Sequence, residues 1–258
     1  MRQETMIVRS NRKIAKDVYE LVLEGEMVSE VTQPGQFVDI KVPRADLILR
    51  RPISICSIDP LLNQMTLVIR ASGDGTSSIC ETKIGETLDV LGPLGHGFET
   101  DFLSESQTAI LIGGGIGIPP LLELAKQLKA KGVFSTIVLG FQNRDAVFYI
   151  EEFEANGQLW IATDDGSIQT QGTVETVLDQ HLSELNYDAV YACGPKGLNR
   201  MVNQRFKDHP NAYVSLEERM ACGIGACAAC ICQKADKPEE NFKVCDDGPV
   251  FKTNTVIV

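Results

Sequence analysis

The stretch Thr108-Ala-Ile-Leu-Ile-Gly-Gly-Gly-Ile-Gly-Ile-Pro-Pro-Leu-Leu-Glu-Leu-Ala-Lys-Gln-Leu128 reads as strand, glycine turn and helix in direct succession. Thr108–Ile112 is an apolar run that ends in Gly113-Gly114-Gly115-Ile116-Gly117. Pro119 and Pro120 suit a first helical turn, where a missing N–H leaves nothing unpaired. Leu121, Leu122, Leu124, Ala125 and Leu128 then recur at helical spacing. Further strands are predicted at Thr136–Leu139, Leu159–Ala162 and Ala189–Ala192, and helices at Val174–His181 and Leu198–Lys207. Strands alternating with helices predict a parallel sheet covered on both faces.

Upstream the pattern differs. Met6–Val8, Tyr19–Leu23, Phe37–Val42, Ser54–Ser57, Met65–Arg70 and Leu88–Leu91 are short β-type runs. Pro34-Gly35, Leu62-Asn63, Gly73-Asp74-Gly75 and Gly85-Glu86 punctuate them. Six strands so spaced predict a small antiparallel barrel. Downstream, from about Tyr213, the chain turns glycine- and cysteine-rich. The expected fold is therefore mixed: an N-terminal antiparallel β-barrel over 1–101, a central α/β parallel-sheet domain over 102–212 and a small C-terminal module over 213–258.

The net charge of -11 argues against binding to nucleic-acid phosphates. Acidity suits solubility and a basic partner surface. No run of about 18 apolar residues is present, so no membrane span is expected. The first residues lack the apolar core of a secretion signal, and the expected location is the cytoplasm.

Of eight cysteines, Cys56, Cys80 and Cys193 are scattered, while Cys222, Cys227, Cys230, Cys232 and Cys245 cluster. Cys222, Cys227 and Cys230 spell C-x4-C-x2-C, and Cys245 follows. That is the plant-type ferredoxin spacing for a [2Fe–2S] cluster. Gly223 and Gly225 permit the tight turn that brings thiolates together, and small alanines let N–H groups approach sulfur. Structural zinc is the rival, although zinc sites usually show two C-x2-C pairs or cysteine with histidine. Cys232 reads either as a spare thiol near the cluster or as a buried non-ligand.

Arg50-Arg51-Pro52-Ile53-Ser54 lies on a predicted barrel strand, and such a pairing of arginine with serine is by itself common on surfaces. Arg70-Ala71-Ser72-Gly73-Asp74-Gly75-Thr76-Ser77 follows a strand and opens a helix, an arrangement suited to pyrophosphate. Gly92-Pro93-Leu94-Gly95 closes the barrel region. With the turn at Gly113–Pro120 and the late Cys193-Gly194-Pro195, this order resembles the ferredoxin–NADP reductase superfamily over nearly the whole chain. Ile53 departs from that superfamily's R-x-Y-S, so a stacking tyrosine is lost. R-P-I-S with C-G-x-G-x-C-x-x-C is similar to the electron-transfer subunit family of dihydroorotate dehydrogenase type B.

The resemblance implies FAD contacts at Arg51, Pro52, Ile53, Ser54, Val68, Ile69, Arg70, Gly75 and Thr76. Arg51 would neutralise pyrophosphate charge, as an arginine fork does well. Ser54 would bond near the redox-active ring edge. Nicotinamide contacts would fall at Gly113, Gly114, Gly115, Gly117, Cys193, Gly194 and Pro195. The turn departs from G-x-G-x-x-G at Pro120, and a bare glycine turn also serves as a tight βα connection. Cys193 reads equally as a buried strand-end thiol or as a neighbour of the nicotinamide. Arg144 is the one candidate for a 2′-phosphate, so NAD is expected over NADP. His96, His181 and His209 stand alone, and no acid–base residue is assigned.

The implied function is electron transfer from the FMN of a dihydroorotate dehydrogenase catalytic subunit through [2Fe–2S] and FAD to NAD in pyrimidine biosynthesis. The expected assembly is a heterotetramer with two of each chain. Alternatives are a reductase of the same superfamily feeding an oxygenase or ferredoxin, and a redox sensor that does not turn over.

Overall fold

A computed structural model describes residues 1–258. Six strands form the first unit: β1 (Arg2–Ala15), β2 (Val18–Glu24), β3 (Phe37–Ile40), β4 (Arg51–Asp59), β5 (Gln64–Arg70) and β6 (Thr87–Leu94). They close into an antiparallel barrel in the order β1-β2-β5-β4-β3-β6. Met6, Leu21, Leu23, Val38, Ile40, Leu67 and Val90 alternate inward and fill it. β1 is longer than the expected Met6–Val8 because it serves two neighbours. Its first half pairs with β6 and its second half with β2. Helix α1 (Asp74–Cys80) lies between β5 and β6.

The central sheet carries β7 (Thr108–Gly114), α2 (Pro120–Ala130), β8 (Phe134–Phe141), α3 (Ile150–Glu154), β9 (Gln158–Thr163), β10 (Thr170–Gln171), α4 (Val174–His181), β11 (Ala189–Cys193), α5 (Lys196–Arg205) and β12 (Ala212–Ser215). Its order is β10-β9-β8-β7-β11-β12, parallel throughout. β7 is central because Ile110, Leu111 and Ile112 are apolar on both faces, as a strand covered on two sides requires.

The C-terminal segment holds a hairpin of β13 (Ile231–Gln233) and β14 (Asn241–Lys243). β15 (Val250–Lys252) then returns to the central sheet, antiparallel to β12. β12 itself straddles the expected boundary at 212/213. His96 joins barrel and C-terminal segment: its Nδ1 lies 2.8 Å from the Asp246 carbonyl, and its N–H donates to the Gly248 carbonyl at 2.6 Å.

Barrel and sheet share one apolar core, in which Val18, Cys56 and Val68 meet Leu121, Leu122 and Tyr149. The contact also has a polar component, since the N–H of Ile58 donates to Glu123 on α2 at 3.2 Å. No helix is long and apolar enough to cross a membrane.

Candidate electron-transfer site

β3 and β4 run side by side, with Phe37 opposite Ser54 and Asp39 opposite Pro52. Arg51 begins β4, and its guanidinium packs on Gly75; a Cβ there would fall 2.5 Å from Nε. Arg51 Nη1 also donates to the Leu49 carbonyl at 2.8 Å. Thr76 Oγ1 accepts from the N–H groups of Ser72 and Gly73 at 3.1 and 3.3 Å, which fixes the turn before α1. An arginine fork thus stands beside a cradle only glycine permits, as a pyrophosphate requires.

Pro52, Ile53, Ser54 and Val68 line one depression together with Ile116, Gly117, Cys193 and Gly194. Glu217, Met220 and Pro249 complete it from the C-terminal segment. Arg70 reaches from the end of β5 to the glycine turn, 3.4 Å from where a Gly115 Cβ would lie. Ile69 alternates away, and its side chain is buried in the barrel core, so only its backbone faces this side.

Gly115 has φ +53, a conformation few residues adopt. Gly117 packs against Gly194, and a Cβ at Gly117 would fall 2.6 Å from that residue's N and Cα. Gly113 pairs with Cys193 across β7 and β11, and Gly114 is covered by Leu198 and Pro195. Burial pushes the Cys193 thiol up to about 12, against the bond to Ser215, so it is a neutral thiol. Asn199, buried on α5, donates to the carbonyls of Gly194 and Ser215 at 3.1 and 2.7 Å. It ties the two strand ends together, and no motif marks it in the sequence. Arg144 Nη2 already donates to the Ser167 carbonyl at 2.8 Å.

The N–H of Cys227 donates to Cys222 Sγ at 3.3 Å, and Cys230 Sγ lies 3.2 Å from Cys245 Sγ. Gly225 N–H donates to Cys245 Sγ at 3.2 Å. No three side chains of ligating type converge on a single ion. The N–H of Ile224, outweighing burial and joined by Cys227, draws Cys222 down to about 7, while burial pushes Cys245 up to about 12. Gly223 and Gly225 are left-handed, at φ +68 and +75. Carboxylates of Asp39 and Asp246 occupy the space beside them, each 2.5 Å from a would-be Cβ. Lys243 donates to the Gly225 carbonyl. Three cysteines on an N–H-rich loop with Cys245 against Cys230 fit the donor set of a [2Fe–2S] cluster. Cys232 is buried on β13, opposite Phe242, and burial raises its thiol to about 11.

Family comparisons follow the same three parts. Residues 5–98 match the oxidoreductase FAD-binding domain, and residues 111–204 the oxidoreductase NAD-binding domain. Residues 217–257 match the iron-sulfur cluster binding domain of dihydroorotate dehydrogenase B. Fold and site together define the class, an FAD- and NAD-binding oxidoreductase with an iron–sulfur domain.

Two curated relatives are each called dihydroorotate dehydrogenase B (NAD(+)), electron transfer subunit. The one from Enterococcus faecalis is 49% identical over 260 residues, covering 100% of this chain and 99% of the relative. The other, from a Geobacillus species, is 50% identical over 259 residues and covers 100% of both. The chain belongs to this family of electron-transfer subunits. A solved NADH-dependent reduced ferredoxin-NADP oxidoreductase superposes with a TM-score of 0.87 at 30% identity, over 98% of this chain and 89% of that one.

Proposed function

We propose that the chain delivers electrons from an FMN-bearing dihydroorotate dehydrogenase catalytic subunit to NAD. One observation carries this reading: the flavin strand β4 faces the nicotinamide turn at one depression, while its neighbour β3 touches the cluster loop through Asp39 and Gly223. When bound, the flavin exchanges a hydride with nicotinamide and single electrons with a [2Fe–2S] cluster, chemistry that no side chain here supplies.

The residues bind and orient. Arg51, Gly75 and Thr76 hold the FAD pyrophosphate, with Arg70 at the border of both nucleotides. Pro52, Ile53, Ser54 and Val68 flank the ring, joined by the Ile69 backbone. Gly113, Gly114, Gly115 and Gly117 seat the NAD pyrophosphate, and Cys193, Gly194 and Pro195 stand beside the nicotinamide. No basic cluster follows β8, where Arg144 stands alone, and this favours NAD over NADP. Cys222, Cys227, Cys230 and Cys245 ligate the irons, and Cys232 does not.

The working units are the barrel, the sheet and the cluster segment, with the second boundary moved beyond β12 to about residue 216. The assembly is two of each chain, located in the cytoplasm and serving pyrimidine biosynthesis.

The test is division of labour. The isolated chain should reduce dyes from NADH but not oxidise dihydroorotate. Adding the catalytic subunit should produce NAD-dependent dihydroorotate oxidation. The reading fails if the isolated chain oxidises dihydroorotate, or if a cluster-free complex still reduces NAD at the normal rate.

A further inference from the structure

Asp39 is a buried acid whose carboxyl makes no hydrogen bond. It sits on β3, opposite Pro52 of the flavin strand, and is only 1% exposed. Its Oδ1 is enclosed without a partner. Its Oδ2 lies against Gly223, 2.5 Å from the position of a Cβ there. The nearby Arg50 is engaged elsewhere, donating to the Asp39 backbone carbonyl at 3.1 Å and to Asp89 Oδ1 at 2.8 Å. On the same side, Phe37 and Leu94 pack in one apolar cluster with Cys230 and Cys245. The carboxyl is thus wedged between the flavin strand and the loop that carries Cys222.

Buried polar groups are almost always paired, and an unpaired acid is unfavourable. As a strut for Gly223 the group has no bond with which to hold the loop. What the position supplies is negative charge. Burial pushes the carboxyl up to about 6, against the pull of Arg50 and Arg51, so it is ionised in mildly alkaline solution.

We propose that the charge of Asp39 lowers the reduction potential of the cluster and so drives electrons from it toward the flavin. A fixed negative charge beside the loop opposes an added electron there, and a low-dielectric setting strengthens the effect. The electron that leaves the cluster reduces the flavin by one, and no proton moves at Asp39. The inference rests on the cluster assignment above.

The experiment is an EPR-monitored redox titration of the full chain, carrying FAD and cluster, at about pH 8. Asp39→Asn keeps the shape and removes the charge. The cluster midpoint should rise by about 59 mV, a tenfold shift in a one-electron equilibrium, and Asp39→Ala should move it the same way. NADH-to-dye rates should stay within about twofold of the unmodified chain. An unchanged midpoint in both variants with the cluster retained would overturn the proposal. So would loss of the cluster from both, which would make Asp39 a support of the loop. No EPR signal from the unmodified chain would instead overturn the cluster assignment, and this inference with it.

Discussion

The guanidinium of Arg51 lies across Gly75 so closely that any side chain at residue 75 must displace it. The two residues come from different elements, β4 and α1, and meet where the proposed FAD pyrophosphate would lie. Arg51→Ala should weaken FAD retention by roughly ten- to hundredfold, since charge-assisted bonds contribute about 1.5–3 kcal/mol. Gly75→Ala should weaken it too, by pushing the guanidinium aside, with little change in melting temperature. Flavin release measured by fluorescence checks both, and unchanged affinity in Arg51→Ala removes that residue from the site.

Gly117 and Gly194 make a comparable pair on the nicotinamide side. A Cβ at Gly117 meets backbone atoms of Gly194, which cannot swing away as a side-chain tip does. Gly117→Ala should destabilise the fold by about 1–3 kcal/mol. It should also slow flavin reduction by NADH at least about tenfold, because the turn shifts. Gly197 is the control: it lies in α5 with nothing within 4 Å of its Cβ position. Gly197→Ala should leave the rate alone and raise stability slightly, by about 0.4–1 kcal/mol. Stopped-flow absorbance at the flavin band separates the two outcomes.

These pairs mark what a linear reading could and could not find. The barrel strands and the β7–α2 turn were legible because hydrophobic period and turn residues are local signals. The iron–sulfur segment was legible because ligation imposes cysteine spacing, and residues 217–257 match that domain. β15 was not, because three residues become a strand only beside β12, far away in sequence. Asp39 and Asn199 were equally silent: their roles depend on Gly223, Gly194 and Ser215 being brought against them. Which part of Ile69 faces the flavin side was equally hidden: strand alternation sends its side chain into the core and leaves its backbone there.

The barrel and the sheet are also joined by a polar contact with a pH signature. The Tyr149 hydroxyl donates to Glu20, and Arg12 Nε lies 2.6 Å from Glu20 Oε1. Burial pushes the Glu20 carboxyl up, but the bonds from Arg12 and Tyr149 and the Arg12 charge outweigh it, and the net shift is below 4.5. A depressed value in the folded chain contributes stability above the unfolded value of 4.5, lost as pH falls through the lower folded value. Tyr149→Phe should therefore lower the melting temperature at neutral pH. It should also flatten the decline in stability below about pH 4.5. Melting curves over that range test this, and a variant whose curve parallels the unmodified chain's would exclude Glu20 as its cause.

The cluster segment gives the sharpest discrimination, because five cysteines lie within it and a [2Fe–2S] cluster takes four. The Cys227 N–H donates to Cys222 Sγ, and Cys230 Sγ lies against Cys245 Sγ. Cys232 faces Phe242 on the hairpin, buried and outside these sulfur contacts. Protein purified without oxygen should contain about two irons and two acid-labile sulfides per chain. Serine at 222, 227, 230 or 245 should lower that content or distort the EPR signal, whereas Cys232→Ser should keep both and lose only a little stability. Stoichiometric zinc in protein made with ample iron, or loss of iron from Cys232→Ser alone, would reverse the assignment.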